Sequence, residues 1–525
     1  MPEAEDTTEV LIVGGGPVGL TARALLDRWG IRTLLAEKHR TLSPFPRARL
    51  VNVRSMEIFR LLGLDGAITA VAFPPEYGRI RFRDTLLEPD FATAAMVGIN
   101  GPVPESPAVG AVTSQDRLEP VLLAAADAPV RFGAELTGFG EEPGGVVARL
   151  ADRDGGAETR IRARYVLAAD GARSTVRRLF GIGTTGPGTL GSFTTVVFDA
   201  DLGPWCADRP AGVYFTAHGL FAPVHPEGDW AWFVPTPDGS AGADWTALVT
   251  DAIGGGSGPR ADIVRVQHWD MNAFVAERFR HGRVLLAGDA VHALPIVGGL
   301  GMNTGLADVH NLCWKLAGTL RGWAGPGLVD SYAAERRPVA LRTLEQAVAH
   351  TRLLLRVQNE RSEQRAAEAD PGPLELPWSE EYFAQLGLIL GMAYRSGAVL
   401  ADEVTPAEPA DPGTDYVPTT EPGHRMPHLP LTAGRSVLDS FGEWFTLLTP
   451  GPVSGAPPPT APWPLRTENL PAGPAGLPGL GPRGALLVRP DGHIGARWRA
   501  GPPDGAALRA ALAAITDRTP PPPPD

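Results

Sequence analysis

Cysteine is nearly absent from this chain, with Cys206 and Cys313 the only two in 525 residues. Two thiols so far apart support neither a disulfide framework nor a cysteine-based zinc site, and reduced thiols in a cytoplasmic protein are the expectation. Lysine is as scarce: Lys38 and Lys315 stand alone, so arginine carries the rest of the 47 positive charges. Those are outnumbered by 59 acidic residues, giving a formal net charge of −12. Without a basic stripe to neutralise phosphates, a nucleic-acid partner is not expected. Long apolar runs are missing too, since none approaches the ~18 residues that cross a bilayer, so no membrane association is expected. The acidic opening MPEAEDTTEV has neither the basic region nor the apolar stretch of a signal peptide. No nucleophile–base pairing or metal-ligand cluster stands out either, so no catalytic side chain and no metal is assigned.

What the chain does have is length for two or three domains and a 43% apolar fraction that suits a globular core. Residues 9–38 read as a strand, a helix beginning at Pro17 and a second strand, a βαβ unit. Helical periodicity covers 114–126, alternating strands fill 130–168, and Phe/Trp/Val-rich strands between Gly/Pro turns fill 186–269. Long helices are predicted over 303–320 and 332–369. Past Pro371 the composition shifts. A Pro/Gly/Ala-rich loop covers 450–482, ALLVRP and HIGARW form a hairpin, a helix spans 505–515, and TPPPPPD is a disordered tail.

Three separated segments carry the chemistry. The first, VLIVGGGPVGL, sets Gly14, Gly16 and Gly19 in GxGxxG spacing between strand and helix, with Pro17 opening the helix. Glycines there permit a tight turn and let backbone N–H groups approach a pyrophosphate at the positive helix end. Glu37 closes the second strand, followed by Lys38, where a carboxylate accepts from adenosine ribose hydroxyls. This much fits FAD and NAD equally. The second, YVLAADGARSTVRRLFGI, is a strand running into Asp170-Gly171 and a short helix, a second phosphate-sized turn or an ordinary capped helix. The third is the most specific: GRVLLAGDAVHALPIVGGLGMNTGLADVHNLCWKL. Its strand delivers Asp289, whose carboxylate can hold a ribityl hydroxyl. His292 and Pro295 then lead into Gly298, Gly299 and Gly301, with Met302 and Asn303 opening a helix. Such a glycine turn suits the pyrimidine edge of a flavin, because its N–H groups and the helix dipole stabilise negative charge on the reduced ring.

These segments resemble the class A flavoprotein hydroxylases built on the para-hydroxybenzoate hydroxylase fold. PRARLVNVRSMEIFRLLGL, SQDRLEPVLL, GMAYRSGAVL and PGHRMPHLPL extend the likeness over nearly the whole chain, weakest in 72–110, 186–270 and 450–482. The C-terminal pieces resemble the subgroup that hydroxylates polycyclic aromatic polyketides in antibiotic or pigment biosynthesis. The resemblance implies an α/β protein in three parts. A Rossmann-like FAD-binding domain would comprise 1–72, 109–185 and 271–370. A sheet domain for the substrate would be interleaved at 73–108 and 186–270, and a thioredoxin-like domain would cover 371–525. It also implies that Arg47 sits beside the flavin and its phosphates, Gln115 on the ribityl chain, Asp170 near the pyrophosphate and NADPH (or NADH) approach, and Asp289 on the ribityl hydroxyls. Two departures stand out. Ile296 replaces a usual second proline, and with no cysteine after Cys313 the last domain would be structural.

The implied reaction is NAD(P)H-dependent reduction of FAD, addition of O₂ at the flavin C4a, and transfer of the distal oxygen to an electron-rich aromatic carbon. The protein, a monomer or homodimer, would keep water out and hold the substrate. His292 reads as a structural hydrogen-bonding residue, and His218, His225 and His268 as surface or packing histidines. Phe221, Trp230, Trp232 and Phe233 are assigned to the substrate, with alternation placing the two tryptophans on one face. The other reading is an ordinary aromatic core. WAWFVP resembles a halogenase motif, but both lysines lie inside the flavin motifs and none is left to carry hypohalous acid. Baeyer–Villiger oxygen insertion and a non-turnover flavin redox sensor stay open as alternatives.

Overall fold

The computed structural model describes residues 5–153, 155–156, 158–239, 242–255, 258–367, 374, 385–406, 415–431, 434–451, 461–470 and 477–518. The expected tail at 519–525, and 452–460 and 471–476 of the Pro/Gly/Ala-rich loop, lie outside the described residues.

The apolar strand Glu5–Val13 lies between Thr33–Glu37 and Thr159–Ala168, parallel to both. Val10, Leu11 and Ile12 are fully buried, as expected for a strand covered on both faces. Val284–Leu286 adds in parallel beyond Thr159–Ala168, and Val130–Phe132 beyond Thr33–Glu37. Register brings Ala36, Val13, Ala168 and Leu286 into one row. Four strands therefore end together: three of them run into the three sequence segments singled out above, and the fourth ends at Glu37. The alternation read in 130–168 is an antiparallel meander of Ala134–Glu142, Gly145–Asp152 and Thr159–Ala168. It gives way to continuous burial from Tyr165 to Ala168, where the last strand runs between Glu5–Val13 and Val284–Leu286. Helices Pro17–Arg28 and Leu300–Arg321 contribute Leu20, Leu306, Val309 and Leu312 to the core against this sheet.

A second sheet of eight strands carries Arg79–Arg83 and Asp90–Ala95 at one end and Asp262–Ala276 near the other. Thr184–Asp199 and Asp262–Ala276 run through the expected domain borders at 186 and 270. His292–Ala293 pairs onto the edge of Asp262–Ala276, which ties the third flavin segment to this sheet.

The C-terminal part is a mixed four-stranded sheet with the helix Gly505–Ile515. Its hairpin is Ala485–Val488 with Ile494–Trp498. Leu465–Asn469, read from composition as loop, is a strand pairing in parallel with Phe445–Thr449. The chain is thus α/β. Among the described residues no helix is long and apolar enough to cross a membrane.

Candidate flavin site

The row of strand ends sets the first turn. Gly14 donates to Ala36 O at 2.8 Å, Ala169 to Val13 O at 2.8 Å, and Ala287 to Ala168 O at 2.9 Å. Gly14 has φ +107, and a Cβ there would come within 2.3 Å of Ala169 O. One on Gly19 would meet Gly14 O at 2.0 Å, so strand, turn and helix close on one another only with glycine at both positions. Around Gly16 the opposite holds: a Cβ would meet nothing within 4 Å. Open space at a helix N-terminus, opened by Pro17 without a side-chain cap, suits an incoming phosphate. Glu37 closes the adenosine side, its Oε2 accepting from Gly15 N at 2.6 Å and Oε1 from His39 N at 2.8 Å. Each oxygen keeps a further lone pair for a hydroxyl. Lys38 is exposed beside it.

Asp170 follows the neighbouring strand. Its Oδ2 accepts from Val176 N at 3.1 Å, while Oδ1 is buried with no partner. Both readings of this segment therefore apply: the aspartate caps a helix and also offers a free acceptor. Arg177 bridges this segment to the third, donating to Ala172 O at 2.7 Å and Ala290 O at 2.9 Å.

Gln115 is buried, accepting from Ala48 N at 3.2 Å and donating to Glu119 Oε1 at 2.6 Å. Glu119 was missed from sequence, although it stands one helical turn from Gln115. Its Oε2 accepts from Ser43 N at 2.9 Å. Burial pushes its carboxyl up, against the Gln115 and Ser43 hydrogen bonds and the Arg47 charge. Arg47 is exposed, yet its charge reaches both Glu119 and Asp289. Segments distant in sequence therefore share one electrostatic site. Arg49, also missed, is buried and donates to the carbonyls of Gly212 (2.9 Å) and Pro223, fastening this stretch to the second sheet.

Asp289 combines two properties that mark the wall of a cleft. It is reachable by solvent, and it is crowded deeply enough that desolvation pushes its carboxyl up, against the pull of His292 and Arg47. Past it, Pro295 is buried and Ile296 is exposed. Gly298 (φ +93) and Gly299 (φ +64) then turn the chain into the helix Leu300–Arg321. A Cβ on Gly301 would lie 3.9 Å from Asp289 Oδ1, and Met302 packs partly against the main core. Asn303 holds this turn in place. Its Oδ1 accepts from Asn52 N (2.9 Å) and Ser55 Oγ (2.6 Å), while Nδ2 donates to Leu50 O (2.8 Å) and Gly299 O (2.7 Å). His292 is fully buried, 2.6 Å from Asp308, in the structural position expected of it.

Unpartnered Asp170 Oδ1, the space at Gly16 and solvent-reachable Asp289 form a path along the strand ends that fits an extended dinucleotide. Against the Gly298–Gly299 turn lies a partly open cavity. Its walls are apolar, with Ile80, Met96, Ile99, Val213, Phe215 and Leu220 prominent.

The aromatic assignment needs correction. Trp230 and Trp232 do share a face of the second sheet, as alternation required, but that face is not the one toward the cavity. Phe221 (0% exposed) and Trp232 (4% exposed) pack with Val196, Phe198 and Val249 in a closed core, and Trp230 packs partly against it. The helix Trp245–Ile253 contributes to that core and covers the tryptophan face. Phe233 pairs across from cavity-lining Leu220 but packs with Val197, Val224 and Ala231 instead. The three histidines have structural surroundings: His225 pairs with Asp116 at 2.9 Å, His268 with Thr194 Oγ1 at 2.8 Å, and exposed His218 accepts from Trp232 Nε1 through its carbonyl at 2.9 Å.

Comparison with known proteins agrees with this geometry. A family model described as "FAD binding domain" matches residues 7–347, and one described as "Aromatic-ring hydroxylase, C-terminal" matches 419–519. Aklavinone 12-hydroxylase DnrF of Streptomyces peucetius is 36% identical over 87% of this chain and 94% of its own. Tetracenomycin B2 monooxygenase-dioxygenase of Streptomyces olivaceus is 34% identical over 97% and 99%. Among solved structures, the flavin-dependent monooxygenase PieE in complex with FAD and substrate superposes with a TM-score of 0.86 at 31% identity, covering 98% of this chain and 100% of that one. A ternary complex of aklavinone-11 hydroxylase with FAD and aklavinone superposes with a TM-score of 0.80 at 33% identity, covering 97% and 99%.

Proposed function

The chain belongs to the FAD-dependent monooxygenases of the aromatic-ring hydroxylase family, and from that premise we propose that it uses NAD(P)H and O₂ to hydroxylate a polycyclic aromatic polyketide in antibiotic or pigment biosynthesis. The observation that carries this reading is the apolar cavity opening against the Gly298–Gly299 turn. When bound, FAD would supply the redox chemistry that links NAD(P)H to O₂ and makes one oxygen available for transfer.

The chain's own residues bind, orient and exclude water. Gly14, Gly16, Pro17 and Gly19 present the helix N-terminus to the pyrophosphate, and Glu37 and Lys38 meet the adenosine. Asp289 and Gln115 accept and donate along the ribityl chain, with Arg47 balancing charge beside it. Asp170 offers its free oxygen near the pyrophosphate. Pro295, Gly301, Met302 and Asn303 frame the ring edge, where backbone N–H groups at the start of Leu300–Arg321 stabilise negative charge. The cavity walls exclude water and hold a flat apolar substrate against the reacting centre. The division of the chain into FAD, substrate and C-terminal units, with borders near 72, 108, 185, 270 and 370, is part of the same proposal.

The test is NAD(P)H oxidation by the FAD-loaded protein with a panel of tetracyclic quinones under ¹⁸O₂. The expected result is substrate-stimulated oxidation and a phenolic product carrying one ¹⁸O. A ring-expanded lactone would place the chain with Baeyer–Villiger enzymes, and no stimulated turnover by any of the panel would overturn the substrate class.

A further inference from the structure

We propose that Gln385 is the polar anchor of the substrate cavity, accepting a hydrogen bond from a phenolic hydroxyl of the bound aromatic, with His350 as the positioning residue that holds its amide. The inference rests on the substrate class proposed above and adds the residue that reads it.

The cavity wall carries three polar side chains, Asn52, Asn303 and Gln385. Asn303 is consumed by its four hydrogen bonds to Asn52, Ser55, Leu50 and Gly299. Asn52 uses its Oδ1 to cap the helix Val53–Leu61 through Ser55 N at 2.9 Å. Gln385 differs from both. It is 7% exposed, and its Oε1 is buried without a partner. A buried acceptor left without a donor is a standing cost that a ligand donor would remove.

The amide is fixed from behind. Gln385 Nε2 lies 3.2 Å from His350 Nδ1, and His350 Nε2 lies 2.8 Å from the Gln346 side-chain amide. Burial pushes His350 down to about 4, so at neutral pH the ring is uncharged, with one lone pair and one N–H. Nδ1 accepting from Gln385 leaves Nε2–H to donate to Gln346, whose amide can turn its oxygen toward it. With Nε2 beside His350 Nδ1, Gln385 Oε1 is the end of the amide left without a partner. Both groups press on one point: a Cβ on Gly298 would lie 2.7 Å from Gln385 Nε2, 3.1 Å from His350 Nδ1 and 3.5 Å from Gln385 Oε1. The acceptor therefore stands at the same glycine turn as the proposed ring-edge site. The ligand that satisfies one acceptor in an otherwise apolar cavity is a planar apolar body with a hydroxyl donor, which is a phenol. A methyl group in its place would leave the acceptor unpaired.

The experiment titrates the FAD-loaded protein with 2-hydroxyanthraquinone and 2-methylanthraquinone, reading the shift of the flavin absorbance. Wild type is expected to bind the hydroxyl compound about tenfold more tightly. Gln385→Leu should bring that ratio close to one with FAD content unchanged, and His350→Ala should lower it part of the way. Gln385→Met, nearer in volume, carries the same test if the leucine variant does not fold. A variant at 385 that keeps the wild-type ratio overturns the assignment and leaves the proposed substrate class standing. Wild-type protein that holds FAD and binds neither compound overturns the substrate class, and the role of Gln385 with it.

Discussion

His292 Nε2 lies 2.6 Å from Asp308 Oδ2, and both side chains are fully buried. The same oxygen accepts from Gly288 N at 3.0 Å, and Oδ1 accepts from Arg336 Nε at 2.7 Å. One carboxylate on the helix Leu300–Arg321 thus holds the backbone just before Asp289, the histidine after it, and an arginine from the next helix. Burial alone would raise the Asp308 carboxyl, but the His292 and Arg336 charges outweigh it and hold the group below its usual value. Replacing Asp308 with alanine leaves Arg336 without its carboxylate in a dry interior. The expected loss is about 3–5 kcal/mol of stability in urea titration. FAD retention should fall too, because the Gly288–Asp289 backbone loses its support. Unchanged urea stability would show that the Asp308–Arg336 pair does not hold the fold together.

Asp289 itself faces the cleft, so its substitution should act on the cofactor more than on the fold. On the proposed ribityl contact, Asp289→Ala would remove a hydrogen bond to a charged acceptor, worth about 1.5–3 kcal/mol. FAD affinity, followed by flavin fluorescence on dilution, should weaken by roughly ten- to a hundredfold. Equal retention would remove Asp289 from the ribityl site.

How far these residues could be read from sequence depended on whether their role is local. Gly14, Glu37, Asp170 and Asp289 each sit where a buried strand ends, and strand, turn and acid are neighbours in the chain. Their convergence follows from parallel register, which hydrophobic runs already indicate. Leu465–Asn469 was missed because prolines and glycines around it obscure a short strand at a sheet edge. Gln385 was missed because nothing local marks it. Its environment comes from Gly298 and His350, which are distant in sequence.

The aromatic pair shows the same limit and gives a paired prediction. Alternation put Trp230 and Trp232 on one face, but which face a helix covers is decided by long-range packing. Trp232→Ala should open a void in that core and cost about 3–5 kcal/mol. Phe215→Ala, at the cavity wall, should leave FAD content unchanged while NAD(P)H oxidation yields more hydrogen peroxide and less oxygenated product. Peroxide assays and urea titration on both variants check this. A folded, uncoupled Trp232→Ala would restore the tryptophan as a substrate wall.

Acid stability follows from histidines that burial holds neutral. His310 is pushed down to about 3, and His350 and His493 to about 4, from an ordinary 6.5, with desolvation the leading cause in each. The Arg54 charge adds to the effect at His310, while Asp491 opposes it at His493. Below pH 6.5 the unfolded chain takes up protons that the folded chain refuses, so the unfolded state binds more of them and is favoured as pH falls. Stability from these three groups is fully present above 6.5 and is lost progressively toward about 4, where His350 and His493 protonate in the fold, and about 3 for His310. Each contributes at most about 1.4 kcal/mol per pH unit across its window. The urea midpoint should therefore drop steeply between pH 6.5 and 4.5. His310→Gln, which keeps a polar side chain and removes one titrating group, should flatten that slope by roughly one histidine's share. A slope identical to wild type would mean that His310 titrates alike in the folded and unfolded chain.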